Sequence, residues 1–392
     1  MSNVPPYVLQ EVIDGSHLVS PNRLADPILR ISVYTGDNNY RKNYIFDSSW
    51  IINSGWCDSM ALLYSDAMAH GIELGTDDVV PLEEADVILF INLPSSRSVV
   101  ADVRSRFPAA KLVLIASESP VVQPHARVIH NHDLFDLVLL HSVDGFCSSK
   151  YKPLPLGCAY IPECPPPFTP YCRRRFAILV NSNVNTGMHR LPRPWHVFNT
   201  LTRIRRSGWS LPFSRFVHVS FGSRYHIRRE FARSVESLGI QDFDIYGTGW
   251  EPLRSGWLYR LFPEKPFYHA RGLLKSDKLL SLCNYKFAFC YENYAGSEGY
   301  ISEKIFDALA AGTVPLCHGD TSLKRIIPSS CVIFRDDYSS DRAMLSDLLG
   351  WDESRWLSYY HAGQEYLHSD ALKPFLPEAY ATNVLRLLLS LV

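Results

Sequence analysis

The sequence predicts an α/β protein built from two doubly wound domains that face each other across a cleft. Three observations point there. Short runs rich in Val, Ile and Leu alternate with helix-forming stretches, as parallel sheets covered by crossover helices require. A proline-dense segment interrupts the alternation once, and the pattern resumes beyond it. The chain of 392 residues is long enough for two separate cores.

In the first half, residues 28–35, 86–93, 111–117 and 135–141 read as buried strands, each a nearly continuous apolar run. Residues 57–71 (CDSMALLYSDAMAHG) read as the crossover helix between the first two of these strands, closed by Gly71. Seven prolines then fall within residues 153–170, where proline fixes φ and removes donors, so this stretch reads as a semi-rigid extended linker outside the core. Beyond it, strands are expected at 176–182, 242–246, 286–291, 314–317 and 332–334. Helices are expected at 225–238, 302–311, 341–349 and 351–368, and a last apolar helix begins at Pro377. The expected division is a first domain over 1–165, a second over 166–376 and a C-terminal helix over 377–392. In paired domains of this kind ligands bind between the two sheets, at the carboxyl ends of the strands.

Composition narrows the function. With 39 Lys plus Arg against 40 Asp plus Glu, the formal charge is -1, which speaks against nucleic acid as a principal partner. The nine cysteines are odd in number and contain no Cys-x-x-Cys pair, so reduced thiols fit better than a disulfide framework or a zinc ribbon. Residues 1–21, with Glu11 and Asp14, offer no apolar run suited to a signal peptide or membrane anchor, and no Asn-x-Ser/Thr acceptor occurs. A cytoplasmic protein is the expectation, although a catalytic fragment cut from an anchored parent would look the same. The basic runs at 173–175 and 203–206 leave peripheral contact with an anionic membrane open, whereas the tail 384–392 is too short to span.

The richest segment runs from Tyr285 to Asp320. A strand delivers Glu292 and Asn293 to its carboxyl end, a loop with Gly296 and Gly299 follows, and Ser302 is placed to cap a helix that starts with Glu303 and Lys304. Ile301, Ile305, Ala308 and Leu309 form its buried face, and Gly312 closes it. Free N–H groups, a capping hydroxyl and a lysine in the first turn suit a phosphate or diphosphate, and Glu303 suits a vicinal diol, so the segment describes a nucleotide-sugar pocket. The plainer alternative leaves Glu303 to the helix dipole and Lys304 to solvent.

These residues resemble the donor motif of the α-1,3-fucosyltransferases, glycosyltransferase family 10. The similarity includes Tyr285-Lys286-Phe287, Tyr291-Glu292-Asn293, the run Gly299-Tyr300-Ile301-Ser302-Glu303-Lys304-Ile305-Phe306, and Ala311-Gly312-Thr313-Val314-Pro315. Residues 225–231 (YHIRREF), 244–250 (DIYGTGW) and Asn181-Ser182-Asn183 resemble bacterial-type members, so the likeness spans about residues 175–320. It implies a GT-B architecture, GDP-fucose as donor, an oligosaccharide acceptor and an inverting transfer that needs no metal or other cofactor. By motif position, Arg228 and Lys304 hold the diphosphate, with Arg229 the alternative to Arg228, and Tyr300, Glu303 and Asn293 contact nucleotide or fucose.

An inverting transfer needs a carboxylate to take the acceptor proton. Glu118, in Ser117-Glu118-Ser119-Pro120 at a strand end, is the candidate, with Glu163, Asp133 and Asp37 as alternatives. Trp50, Trp56, Tyr40 and Tyr44 are aromatic candidates for stacking on an acceptor sugar. His125, His130, His132 and Asp133 imitate a metal cluster but read as a solvated loop, and Asp242-Phe243-Asp244 imitates a metal-binding Asp-x-Asp but reads as strand. The expected function is fucosyl transfer to a hydroxyl, the 3-OH of a GlcNAc or Glc unit, in protein glycosylation or carbohydrate biosynthesis. A GT-B transferase using GDP-mannose and a non-catalytic carbohydrate-binding protein of the same fold are the rivals.

Overall fold

A computed structural model describes residues 27–36, 38–49, 56–183, 201–252 and 265–392. Residues 1–21, Asp37 and Trp50 lie outside them, as does the side chain of Trp56. The first sheet has six parallel strands in the order β2-β1-β3-β4-β5-β6: β1 Leu29–Tyr34, β2 Ile72–Thr76, β3 Val87–Ile91, β4 Lys111–Ala116, β5 Leu137–Leu140 and β6 Tyr151–Pro153. The second has five parallel strands in the order β11-β10-β9-β7-β8: β7 Arg175–Val180, β8 Phe243–Tyr246, β9 Tyr285–Tyr291, β10 Val314–His318 and β11 Ile333–Phe334. Both are buried on their two faces, which is why their strands are so uniformly apolar.

Strand β2 is the element that apolar pattern misses. Its sequence IELGT contains a carboxylate, yet every residue is buried. Glu73 accepts from Arg30 Nε on neighbouring β1 at 3.0 Å, so a salt bridge inside the sheet disguises a core strand as a loop.

The proline-rich segment also departs from expectation, since its first part is core and strand. Tyr151–Pro153 pairs with β5, the Leu154 N–H donates to Leu140 O at 2.7 Å, and Leu154, Cys158 and Ala159 are buried. Proline brings no N–H that needs a partner, so such a chain enters a core at little polar cost. The C-terminal helix Pro377–Leu389 packs on the helix Trp56–Ala69 and adds Tyr380, Val384, Leu385 and Leu388 to the core of the first sheet.

Two polar clusters are structural. His125 and His132 are not in a solvated loop: burial, helped at His125 by Arg203, pulls each down to about 4, and His132 Nε2 hydrogen-bonds Ala126 O at 2.8 Å. Asp244 is buried and bonded to Arg271, Tyr285 and Arg175, which fixes it as part of the sheet. In the run 173–175, Arg174 donates to the Thr169, Tyr285 and Gly312 carbonyls and Arg175 pairs with Asp244, so neither is available to a membrane. Among the described residues no helix is long and apolar enough to cross a membrane.

Gly157 lies where the proline-rich segment squeezes between two helices. A Cβ there would stand 2.3 Å from Ser59 Oγ and 2.7 Å from Tyr380 Cβ, and Ser59 already donates to Gly157 O at 2.6 Å. Gly157→Val is expected to destabilise the protein by about 1–3 kcal/mol through overpacking, read as a lower urea midpoint at unchanged slope.

Candidate active site

The carboxyl ends of both sheets meet in a cleft of about 550 Å³ lined by Tyr34, Asn92 and Glu118 from the first domain and Tyr300, Ser302 and Glu303 from the second. Glu118 therefore faces the segment that sequence singled out. Of its alternatives, Asp133 is held by Arg97 through two bonds of 2.8 Å, and Glu163 is exposed on the proline-rich segment. Tyr40 lines the same cleft, whereas Tyr44 is not among its lining residues.

The loop carrying Glu118 is organised by a residue that no sequence pattern marks. Asn92, at the end of β3, has φ of 62°, and its Oδ1 accepts from Ser117 N at 3.0 Å, Ser117 Oγ at 3.2 Å and Glu118 N at 3.0 Å. A short amide side chain tolerates this left-handed backbone, which larger residues avoid. Glu118 reaches the solvent of the cleft but is flanked by protein, and that desolvation raises its pKa above the ordinary 4.5 despite an opposing hydrogen bond from Ser119.

Across the cleft, Glu292 ends β9 fully buried. Its carboxylate accepts from Ser302 N at 2.9 Å and from Ser302 Oγ at 2.7 and 2.8 Å, and Lys304 Nζ stands 3.7 Å away. The expected cap is thereby corrected: the Ser302 hydroxyl makes no bond to the backbone N–H groups of the helix Glu303–Ala310, because the buried carboxylate takes it. Lys304 Nζ donates to Ser302 Oγ at 2.8 Å and lies 3.5 Å from Glu303, so it is not a loose surface lysine. Burial opposes ionisation of Glu303, but Lys304 and Lys278 outweigh it and hold the carboxyl down to about 2. Burial, followed by the nearby carboxylates Glu292, Glu118 and Glu303, keeps the Tyr300 phenol protonated.

Arg228 and Arg229 separate cleanly. Arg228 lies under the strand end, its Nε and Nη2 donating to Tyr291 O at 3.1 and 2.6 Å and its Nη1 to Ser182 O at 2.8 Å. Arg229 turns to the Gly249 and Glu251 carbonyls and packs over Phe267. Only Arg228 is directed at the Glu292 cluster, and its guanidinium is locked there before any ligand arrives. Gly247 explains part of the 244–250 run, since with φ of 126° a Cβ would lie 2.3 Å from Asn181 O. Asn293 holds the loop through its carbonyl, which accepts from Arg224 N at 2.9 Å, while its Oδ1 is buried without a partner among the described residues. No group of three or more His, Cys, Asp or Glu residues placed to hold a metal occurs among the described residues.

Sequence reasoning missed Asn92, the counterion role of Glu292, and His141. The last hydrogen-bonds Ser297 Oγ at 2.6 Å across the domain boundary and meets the Tyr300 ring edge-on at 5.2 Å between centroids. None of the three belongs to a periodic or charged pattern that spacing alone reveals.

Residues 223–374 match the family described as glycosyltransferase family 10 (fucosyltransferase) C-term. The chain is 30% identical over 95 residues to human alpha-(1,3)-fucosyltransferase 7, covering 24% of this chain and 28% of that protein. The rat protein of the same name is 33% identical over 93 residues, covering 23% and 25%. The chain thus spans about a quarter of the length of these curated relatives. A crystal structure of an alpha1,3-fucosyltransferase superposes with a TM-score of 0.51 at 17% identity, covering 91% of this chain and 89% of that one. Sucrose-phosphate synthase from Thermosynechococcus elongatus gives 0.51 at 10% identity, covering 93% and 99%. These likenesses establish the GT-B fold.

The buried cluster carries a stability expectation. Removing the Glu292 carboxylate leaves Lys304 without its innermost counterion and Ser302 without its acceptor, while Glu303 still partners the lysine. Glu292→Ala is therefore expected to cost about 3 kcal/mol, near the lower end for a broken buried pair, measured by chemical denaturation.

Proposed function

We propose, on the match of residues 223–374 to glycosyltransferase family 10 (fucosyltransferase), that the chain is a member of that family and transfers L-fucose from GDP-fucose to a hydroxyl of an oligosaccharide, the 3-OH of a GlcNAc or Glc unit, with inversion. The observation that carries this reading is the single cleft in which Glu118 faces the Tyr300–Lys304 segment from the other domain. Glu118 takes the proton of the acceptor hydroxyl as its oxygen bonds to the anomeric carbon. The bond from that carbon to the β-phosphate oxygen breaks, and the electron pair leaves with GDP. Lys304 and Arg228 balance the growing charge on the diphosphate. Tyr300, kept protonated, donates a hydrogen bond to donor oxygens, and Glu303, kept ionised, accepts from donor hydroxyls.

The same reading holds that no metal ion takes part, because Asp244 of the Asp-x-Asp sequence is committed to Arg175, Arg271 and Tyr285 and the site supplies its own cations. Turnover is expected to survive a chelator. A reducing, cytoplasmic setting belongs to the proposal, on the thiols of Cys158, Cys283, Cys290, Cys317 and Cys331, free and buried.

Assay of purified protein with a donor panel including GDP-fucose and GDP-mannose tests the donor. Lys304→Ala is expected to lower kcat/KM for GDP-fucose by on the order of 100-fold or more, as loss of one charge-stabilising donor does. Glu118→Gln is expected to bind GDP normally while transfer falls by on the order of 100- to 10,000-fold, the range for a lost general base. Unchanged turnover in either variant removes that residue from its role.

A base whose pKa is raised loses activity, as pH falls, earlier than an ordinary carboxylate does. The acidic limb of log kcat/KM should therefore have its midpoint above 4.5 and vanish in Glu118→Gln. Asn92→Gly keeps the left-handed backbone but deletes the acceptor oxygen. It is expected to reduce kcat on the order of 10- to 100-fold with GDP affinity unchanged, and Asn92→Asp should restore most of the loss.

A further inference from the structure

A second crevice, of about 600 Å³, opens between the two domains beyond the His141–Ser297 contact. The first domain contributes Arg127 and Ser142, and the second contributes Arg215, Ser297 and Ser322. None of these residues has a role in the transfer described above.

Three arginines and three carboxylates line the crevice, so its charges balance in number but not in placement. Three carboxylates share its lining, Asp144, Glu298 and Asp320. Glu298 is paired with Arg325. Asp320 accepts from Gly296 N at 2.9 Å and Ser322 N at 3.0 Å. Asp144 attracts Arg127, but Arg215 repels Arg127 more strongly, and burial followed by that repulsion pulls the Arg127 guanidinium down to about 10. Arg127 Nη2 donates to Ser142 O at 3.0 Å, which fixes its plane against the wall, over the Phe146 ring. Arg215 forms no ion pair among the described residues, and its Nε–H is buried with no hydrogen-bond partner there. Beside them the Tyr294 hydroxyl is fully buried and unbonded, close enough to Arg215 and Arg127 to feel both charges. Buried donors without acceptors are costly, and here a guanidinium N–H and a phenol lie beside two arginines that repel each other.

We propose that this crevice binds an oxyanion, a phosphate, sulfate or carboxylate group, between Arg127 of the first domain and Arg215 of the second. A guanidinium presents paired donors that match such oxygens, and one ion would remove the repulsion between the two arginines while joining the domains that carry them. The anion is either free in solution or a charged substituent of a saccharide. The proposal stands independently of fucosyl transfer, because no donor residue takes part.

The test follows thermal unfolding of the full chain against inorganic phosphate and sulfate, with GDP saturating and chloride holding ionic strength constant. Native protein is expected to show saturable stabilisation whose apparent Kd rises about tenfold or more in Arg215→Gln, equivalent to about 1.4 kcal/mol, and returns in Arg215→Lys. Lys304→Ala should leave the response intact. An equal, non-saturating rise in native and Arg215→Gln protein is the general salting effect of these anions and would overturn the site. So would disappearance of the response under GDP, which would place the anion at the donor position. Calorimetry with one disaccharide in neutral and sulfated forms separates the sources. A preference of about tenfold for the sulfated form that Arg215→Gln abolishes identifies a saccharide substituent. Equal binding of the two forms, with the phosphate response retained, identifies a free ion.

Discussion

The second domain is organised around a carboxylate with no access to water. Taking Glu292 out of solvent costs several kcal/mol unless its oxygens are fully partnered, and the partners available are the N–H and hydroxyl of Ser302 and the ammonium of Lys304. That requirement fixes the turn between Tyr300 and Glu303 and draws Lys304 inward. Lys304 in turn, with Lys278, holds Glu303 ionised, and Lys278 also pairs with Asp307 one turn along the same helix. Arg228 joins from below through the carbonyl of Tyr291. Glu292, Glu303 and Asp307 against Lys278, Lys304 and Arg228 make three charges of each sign. The cluster is therefore neutral and already ordered, with Lys304 held in place by Glu292 and Glu303. Such a site meets its ligand with little reorganisation, and its cations are prevented from collapsing onto the wrong partner.

The opposite wall works by a different rule. Among the described residues Glu118 has no cation beside it and is raised by desolvation, whereas Glu303 is depressed to about 2 by two lysines. Two carboxylates on one cleft with pKa values pushed apart are suited to different tasks: the raised one to take a proton, the depressed one to stay charged. The separation comes from which domain each belongs to. The first domain supplies an uncharged setting built on strand ends and Asn92, and the second supplies the ion cluster.

Much of this was legible in sequence because both sheets are buried on two faces, which leaves strands such as Val87–Ile91 and Tyr285–Tyr291 almost purely apolar. The run Gly299–Phe306 was legible because a glycine-bearing loop, a polar turn and an amphipathic helix are local features. What stayed hidden depends on partners far along the chain. Ile72–Thr76 reads as a strand only once Arg30 is known to neutralise Glu73, and the Ser302 hydroxyl turns from the helix only because Glu292 waits on the preceding strand. Asn92 acts 25 residues away on Ser117. The proline-rich segment was read as linker because proline signals extension, and extension is also what a chain threading between two helices needs.

That threading bears on how the domains can move. Two of the crossings between them, the proline-rich segment and the stretch before the C-terminal helix, are tied together where Ala159 N donates to Phe375 O at 2.9 Å. Gly157 is clamped by Ser59 and Tyr380 on the first-domain side, while Cys158 Sγ contacts Ile301 O, 3.9 Å away, on the second. Residues 201–211 add a further tie, since Ile204 and Trp209 join the core of the first sheet and Trp209 Nε1 donates to Pro94 O at 2.9 Å. The paired crossing lies beside Tyr300 and Glu303, with Cys158 itself on the wall of the Glu118 cleft. The Arg127–Arg215 crevice lies on the far side of the His141–Tyr300 contact. The Glu118 cleft and the arginine crevice thus flank one interdomain contact, and parting it would disturb both.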